Sequence, residues 1–372
     1  MAENIAHYVR AEARGFNDKE LTDVDLLVFA ASMYFEFERF PHYSETGAST
    51  PLSGMSRHGE LIRYAEHDYS PADMLELAEA LAESPRFGCV PIERFECIVG
   101  DDPAIQFAAA CFPVSDELVV VAYRGTDAHL VGWQEDFEML WREAAPGQVE
   151  ALRYLREAAA AYPHAKLALC GHSKGGACAE YAAVFANSRL SSRIVRACSF
   201  DGQALFKVGG AADLDLEVYD RALLERYEQI DVPLVRYVFP SSIGLLMERR
   251  EARFILSSPG FAFAQSTDPE HAHSICAVRV RDGEVVTETV DEERIFKSTG
   301  AVRVVSSLSG AERRFATNAV VDACRNAGIT VNLTDEGVKQ LLAALRVWYK
   351  AASRDERRQA RRLMAKVALT RK

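Results

Sequence analysis

Leu167-Ala168-Leu169-Cys170-Gly171-His172-Ser173-Lys174-Gly175-Gly176-Ala177-Cys178-Ala179 sets a serine between two glycines, with an apolar run before it and small residues after it. Glycines two residues before and two after a serine let a strand turn sharply into a helix and hold the hydroxyl at the strand's end. The bare pattern recurs in many proteins, but here Lys166 to Cys170 reads as a short strand and Lys174 to Asn187 as a small-residue helix. Strand, serine turn and helix are consecutive, so Ser173 is the candidate nucleophile.

Outward from that turn, strand patterns at Ile105 to Phe112 and Glu117 to Tyr123 precede two helical patterns within 131 to 161. Strand Ile194 to Phe200, a helix around Tyr219 to Glu228, and strands at Pro233 to Phe239 and Arg253 to Ser257 follow. Strands alternating with helices predict an α/β fold, a mainly parallel sheet covered on both faces. Asp282-Gly283 predicts a two-residue hairpin turn between Cys276 to Arg281 and Glu284 to Val290. The first 85 residues read as a helical cover, with helices at Val24 to Phe37 and Pro71 to Ala82. Beyond Lys297 the spacing is helical again, at Ala311 to Ala327 and Thr334 to Tyr349. The expected organisation is an α/β domain over 1–300, its first 85 residues the helical cover, and a helical extension over 301–372.

A serine hydroxyl is a weak nucleophile until a base takes its proton, and in this kind of turn the chain order runs serine, acid, histidine. Only His271 and His273 follow Ser173. His273 is the expected base and His271 the alternative. For the acid, Asp201 follows the Ile194 to Phe200 strand on the sheet edge that also carries the serine; Asp268 and Asp231 are alternatives. The developing oxyanion needs two backbone N–H donors, one from the residue after the nucleophile and one from an earlier strand end. Lys174 and Thr126, in Arg124-Gly125-Thr126-Asp127, are the expected pair. The Lys174 side chain, at a helix start, reads as solvated, with contact to an anionic substrate as its other use.

At these residues the chain resembles the class 3, fungal-type lipases, in which a Phe-Arg-Gly-Thr or Phe-Arg-Gly-Ser loop precedes a Gly-His-Ser-x-Gly turn. The matches are Tyr123-Arg124-Gly125-Thr126, Trp133 with Asp136 downstream, and Gly171 to Gly175. It is more closely similar to the bacterial Mbeg-like, lipase-like proteins through Phe16-Asn17, Asp23-Val24-Asp25, Phe200-Asp201-Gly202 and Pro240-Ser241-Ser242-Ile243-Gly244. The resemblance implies an α/β-hydrolase fold, Ser173 as nucleophile and an oxyanion contribution at Thr126. It departs at the acid, because Pro240 to Gly244 carries no carboxylate where the lipases place theirs after the penultimate strand.

The chain has 372 residues, 49% of them hydrophobic and 26% charged, the composition of a globular protein. No apolar run approaches the roughly 18–20 residues of a membrane span, and the N-terminus lacks a secretory apolar stretch. Eight cysteines without a Cys-x-x-Cys pair read as buried thiols of a reducing compartment, hence cytoplasmic, with no metal or other cofactor expected. A net charge of −11 argues against nucleic acid as a partner. Residues 350–372, however, hold nine Lys or Arg against Asp355 and Glu356, and this basic tail is a candidate for peripheral contact with an anionic membrane. The predicted activity is hydrolysis of a small-molecule or lipid ester. The alternatives are a thioesterase or amidase with the same residues, or a catalytically inactive interaction protein on a hydrolase scaffold.

Overall fold

Alternation along the strands decides how this molecule is layered. The computed structural model describes residues 4–35, 37–40, 50–57, 71–127, 129–203, 205, 222–223, 225–227, 229–239, 252–255, 273–288, 304–305, 307–331 and 335–370. Helices α1 (Ile5–Ala11) and α2 (Asp23–Ser32) lead to β1 (Thr50–Pro51), α3 (Leu52–Arg57) and α4 (Pro71–Glu83). Strands β2 (Pro91–Asp101), β3 (Ala104–Ser115) and β4 (Leu118–Tyr123) form a meander. Then come α5 (Leu130–Glu138), α6 (Pro146–Ala161), β5 (Lys166–His172), α7 (Lys174–Val184) and β6 (Ile194–Phe200). The chain continues through β7 (Leu234–Val238), β8 (Ala252–Ile255), β9 (Val280–Arg281), β10 (Glu284–Val285) and β11 (Thr287–Glu288), and closes with α8 (Gly310–Ala327), α9 (Asp335–Ala351) and α10 (Arg354–Thr370).

The main sheet runs β1-β2-β3-β4-β5-β6-β7-β8-β11. Strands β4 to β8 are mutually parallel, and the pairings outside them are antiparallel. Successive side chains point to opposite faces of a strand. Val119, Val121, Tyr123, Leu167 and Leu169 therefore pack on α6 and α7, while Val120, Ala122, Ala168, Cys170 and Phe200 pack on α1, α2 and α4. The N-terminal helices thus form one of the two layers that sandwich the sheet. This is the α/β-hydrolase fold expected from the sequence.

Phe16, Asp23 and Asp25, among the residues that carry the resemblance in the sequence, hold that layer in place. Thr22 and Asp25 cap α2 reciprocally, and Asp25 meets the fully buried Arg86 at 2.7 Å, with Phe16 3.9 Å beneath the guanidinium. Asp23 accepts hydrogen bonds from Arg196 on β6 at 2.7 Å and from Tyr237 on β7 at 2.6 Å.

Some elements differ from the sequence reading. Helix α2 ends at Ser32 rather than Phe37, and the chain turns so that Phe35 and Phe37 are both buried. Strand β2, rich in charged residues and mostly half-exposed, lacks the apolar pattern that reveals β3, and its register is drawn from β3. Ile275–Ala277 form a single 3-10 turn where a strand was expected. The Asp282-Gly283 turn is present, both residues at positive φ, and joins Arg281 to Glu284. Within the basic tail, Arg354–Thr370 is helical, and its Lys366 pairs with Glu312 of α8 at 2.6 Å. No helix among the described residues is long and apolar enough to cross a membrane. All eight cysteines are free thiols, and six of them are buried.

Candidate active site

The parallel register brings four strand ends to one edge. Tyr123 pairs with Gly171, His172 with Phe200 and Phe200 with Tyr237, so the residues that follow β4, β5, β6 and β7 emerge together. At the centre Ser173 has φ 56° and ψ −128°, a conformation that costs a non-glycine residue about 1–3 kcal/mol. It is held there by its backbone N–H, which donates to Phe200 O at 2.9 Å, and by two close approaches. A Cβ on Gly171 would lie 2.2 Å from Gly175 O, and one on Gly175 would lie 2.2 Å from Tyr123 O. Only glycine fits either place, which accounts for the spacing in the sequence.

His273 stands over this turn. Its Nε2 lies 2.8 Å from Ser173 Oγ and its Nδ1 lies 2.6 Å from Asp201 Oδ2. Asp201 is fully buried at φ 50°; its Oδ1 accepts the Phe239 N–H at 3.1 Å, and its own N–H donates to Tyr237 O at 2.6 Å. An ionised carboxylate can only accept, so Nδ1 carries the imidazole proton and the bare Nε2 faces the serine hydroxyl. The three residues expected as nucleophile, base and acid are thus brought together. Asp231 is exposed and precedes β7, at the opposite end of the strand from this site. His271 and Asp268, and the Pro240 to Gly244 stretch, lie outside the described residues.

The Arg124-Gly125-Thr126 loop leaves β4 beside the serine turn. Buried Arg124 donates through Nε to Met33 O at 2.7 Å and through its two Nη atoms to Glu38 at 2.6 and 2.8 Å. Burial pushes the Glu38 carboxyl up, but the Arg124 guanidinium outweighs it and holds the carboxyl below its usual value. Thr126 Oγ1 donates to Asp136 Oδ2 at 2.5 Å, and Gln203 Nε2 donates to Asp136 Oδ1 at 3.4 Å. Burial pushes Asp136 up to about 6, against the pull of Lys174 and the Thr126 hydroxyl.

The Lys174 side chain is neither solvated nor turned toward a ligand, contrary to the sequence reading. It runs inward, 1% exposed, and Nζ donates to Gln106 O at 2.7 Å, to Gln106 Oε1 at 2.5 Å and to Glu135 Oε2 at 3.0 Å. Glu135 also accepts the Gln106 and Gly147 backbone N–H groups, both bonds close to 2.8 Å (2.7 and 2.8 Å). Because α7 begins at Lys174 while packed against β4, its first side chain faces protein, and an amphipathic pattern cannot reveal that. The Lys174 ammonium therefore ties α7 to β3 and α5.

Sequence reasoning also gave no role to His172, the residue before the serine in the glycine-flanked motif. Its Nε2 lies 2.8 Å from the His273 carbonyl oxygen and its Nδ1 lies 2.6 Å from Tyr34 Oη. Nothing local marks this role, since both partners are more than 100 residues away, 101 for His273 and 138 for Tyr34. Among the described residues, no group of three or more His, Cys, Asp and Glu is arranged to hold a metal ion.

A family model described as Mbeg1-like matches residues 81–299. No curated protein matches the sequence. Among solved structures, the chain is similar to a fungal lipase–inhibitor complex presented as a model for interfacial activation, at 14% identity and TM-score 0.33, over 59% of this chain and 72% of that one. It is also similar to the native Rhizomucor miehei lipase propeptide complex, at 13% identity and TM-score 0.32, over 63% of this chain and 68% of that one. M37 lipase matches at 15% identity and TM-score 0.30, over 70% of this chain and 81% of that one.

Proposed function

The chain belongs to the Mbeg1-like family, and from that premise we propose that it is a serine hydrolase cleaving carboxylic esters, lipid esters among them, through an acyl-enzyme on Ser173. The observation that carries this reading is His273 bridging Ser173 Oγ at 2.8 Å and Asp201 Oδ2 at 2.6 Å. Ser173 Oγ bonds to the ester carbonyl carbon as its proton passes to His273 Nε2, and Asp201 stabilises the imidazolium. The backbone N–H groups of Thr126 and Lys174 receive the oxyanion. Collapse of the tetrahedral species breaks the carbon–alkoxy bond, and the departing alcohol takes the proton from His273. Water then attacks the acyl-enzyme, gives its proton to His273, and the carboxylic acid leaves as Ser173 regains its hydrogen.

The same groups serve thioesters and amides, and a panel of ester, thioester and amide substrates separates these readings. The test of the mechanism is labelling with a fluorophosphonate probe. Labelling is expected in the wild type, absent in Ser173→Ala and strongly reduced in His273→Ala but not in His271→Ala. A folded wild type that takes no label would favour a binding role for the scaffold.

For the basic tail we propose contact with an anionic membrane surface, supported by six Lys or Arg along α10 (354, 357, 358, 361, 362 and 366) and by exposed Leu342, Val347 and Met364 on α9 and α10. Liposome binding that weakens with salt and is lost on deleting 351–372 is the expected result. Binding unchanged by the deletion would refute it.

A further inference from the structure

His172 is 5% exposed, and its ring stacks at a tilt over that of His273, centroids 4.7 Å apart. A carbonyl oxygen can only accept, so the 2.8 Å contact with His273 O requires the proton on His172 Nε2. Burial first, and then the neighbouring His273, hold His172 well below the usual histidine value, so the ring is neutral and Nδ1 is an acceptor. Tyr34 Oη therefore donates to Nδ1 at 2.6 Å. The tyrosine hydroxyl sits so close to the oxyanion loop that a Cβ on Gly125 would lie 2.1 Å from it. One short segment after α2 thus touches both halves of the site: Met33 O and Glu38 hold Arg124, and Tyr34 holds His172.

From this arrangement we infer that His172 is a positioning residue for His273, whose backbone it grips through Nε2–H, and that Tyr34 selects the tautomer that makes the grip. The inference rests on the hydrolase reading above. Two features follow from the geometry. The base sits on a segment that the described sheet does not hold by strand pairing, so a hydrogen bond from the rigid end of β5 fixes where its imidazole stands over Ser173. A neutral His172 also tolerates the positive charge that arises on the adjacent His273 ring when it takes the serine proton; a cationic one would oppose it.

The test uses the full chain and p-nitrophenyl butyrate. His172→Phe keeps a buried ring but has no donor, whereas in His172→Gln the amide nitrogen stands as many bonds from Cβ as the imidazole Nε2 does. His172→Phe is expected to lower kcat by about 10²-fold with KM little changed, the size of effect that follows misplacing a reacting group by about 1 Å. His172→Gln is expected to restore most of that loss, and Tyr34→Phe to fall between them. Independently of activity, ¹⁵N-histidine NMR of the wild type, with His172 assigned from the His172→Gln spectrum, is expected to show His172 still neutral, with its proton on Nε2, where an ordinary histidine is half protonated. A folded His172→Phe as fast as wild type, a folded His172→Gln as slow as His172→Phe, or a His172 that carries its proton on Nδ1 or titrates near its ordinary value would overturn the proposal. A wild type that neither hydrolyses the ester nor takes a fluorophosphonate overturns the hydrolase reading, and the NMR result then states whether the His172–His273 bond exists apart from it.

Discussion

Asp201 Oδ1 accepts the Phe239 N–H while its Oδ2 lies 2.6 Å from His273 Nδ1, so one buried carboxylate joins the end of β7 to the imidazole. Asp201→Asn is expected to keep this fold and lose the chemistry. The asparagine oxygen can still accept from Phe239, which turns its NH₂ toward Nδ1. His273 then holds its proton on Nε2 and cannot take one from Ser173. The expected loss in kcat is about 10³- to 10⁴-fold, with a thermal midpoint close to wild type. Wild-type turnover in the folded variant would remove Asp201 from the mechanism.

Gly175→Ala tests the turn itself. The added methyl would meet Tyr123 O at 2.2 Å and the carbonyl carbons of Tyr123 and Arg124 at 2.8 Å, all backbone atoms that cannot rotate away. Overpacking costs about 1–3 kcal/mol, and contacts this close with fixed backbone place the variant toward the upper end. A lowered urea midpoint together with loss of fluorophosphonate labelling is the expected outcome, and a variant normal in both would show that β4 can yield.

Removing the Lys174 ammonium leaves Glu135 charged and fully buried without its cation. Lys174→Met is expected to destabilise the protein by about 3–5 kcal/mol in urea denaturation, and Glu135→Gln in the same chain to restore part of it. Equal stability of Lys174→Met and wild type would contradict the inward path of this side chain.

Asp136 gives a pH dependence of definite sign. Burial raises it from 3.8 unfolded to about 6 folded. Between those values the folded state binds a proton that the unfolded chain releases, so this group's contribution to stability declines as pH rises from about 4 to 6 and is constant above. Asp136→Asn removes the cost of the buried charge. Relative to wild type it is expected to gain of the order of 2–3 kcal/mol at about pH 8, from roughly two pKa units at 1.36 kcal/mol each, and little at about pH 4. Denaturation at the two pH values checks this, and an equal gain at both would point to packing instead.

Much of this architecture was legible because local rules dictate it. Strands of alternating face, a glycine-flanked serine between β5 and α7, and the Asp282-Gly283 turn each depend on contiguous residues, and the structure contains all three. Strand β2 was not legible, because it is an outer strand with charged residues along its half-exposed length and its pairing comes from β3. Lys174 misled for a related reason: a charged residue at a helix start reads as solvated unless the neighbouring elements that bury it are known.

By itself the sequence determined the serine turn, because the steric exclusion at Gly171 comes from Gly175 and Gly176 a few residues on, whereas the exclusion at Gly175 comes from Tyr123 and Arg124 at the end of β4 and needs the tertiary structure. It also narrowed the base to two histidines and favoured Asp201 from its place at a strand end. Only the tertiary structure decided that Asp201, His273 and Ser173 meet, that Thr126 hydrogen-bonds Asp136, and that His172 lies between His273 O and Tyr34 Oη. The contacts of His273 with Asp201 and Ser173 join residues 72 and 100 positions apart. No spacing rule spans such distances; the parallel register, which brings the ends of β4, β5, β6 and β7 to one edge, supplies the alignment.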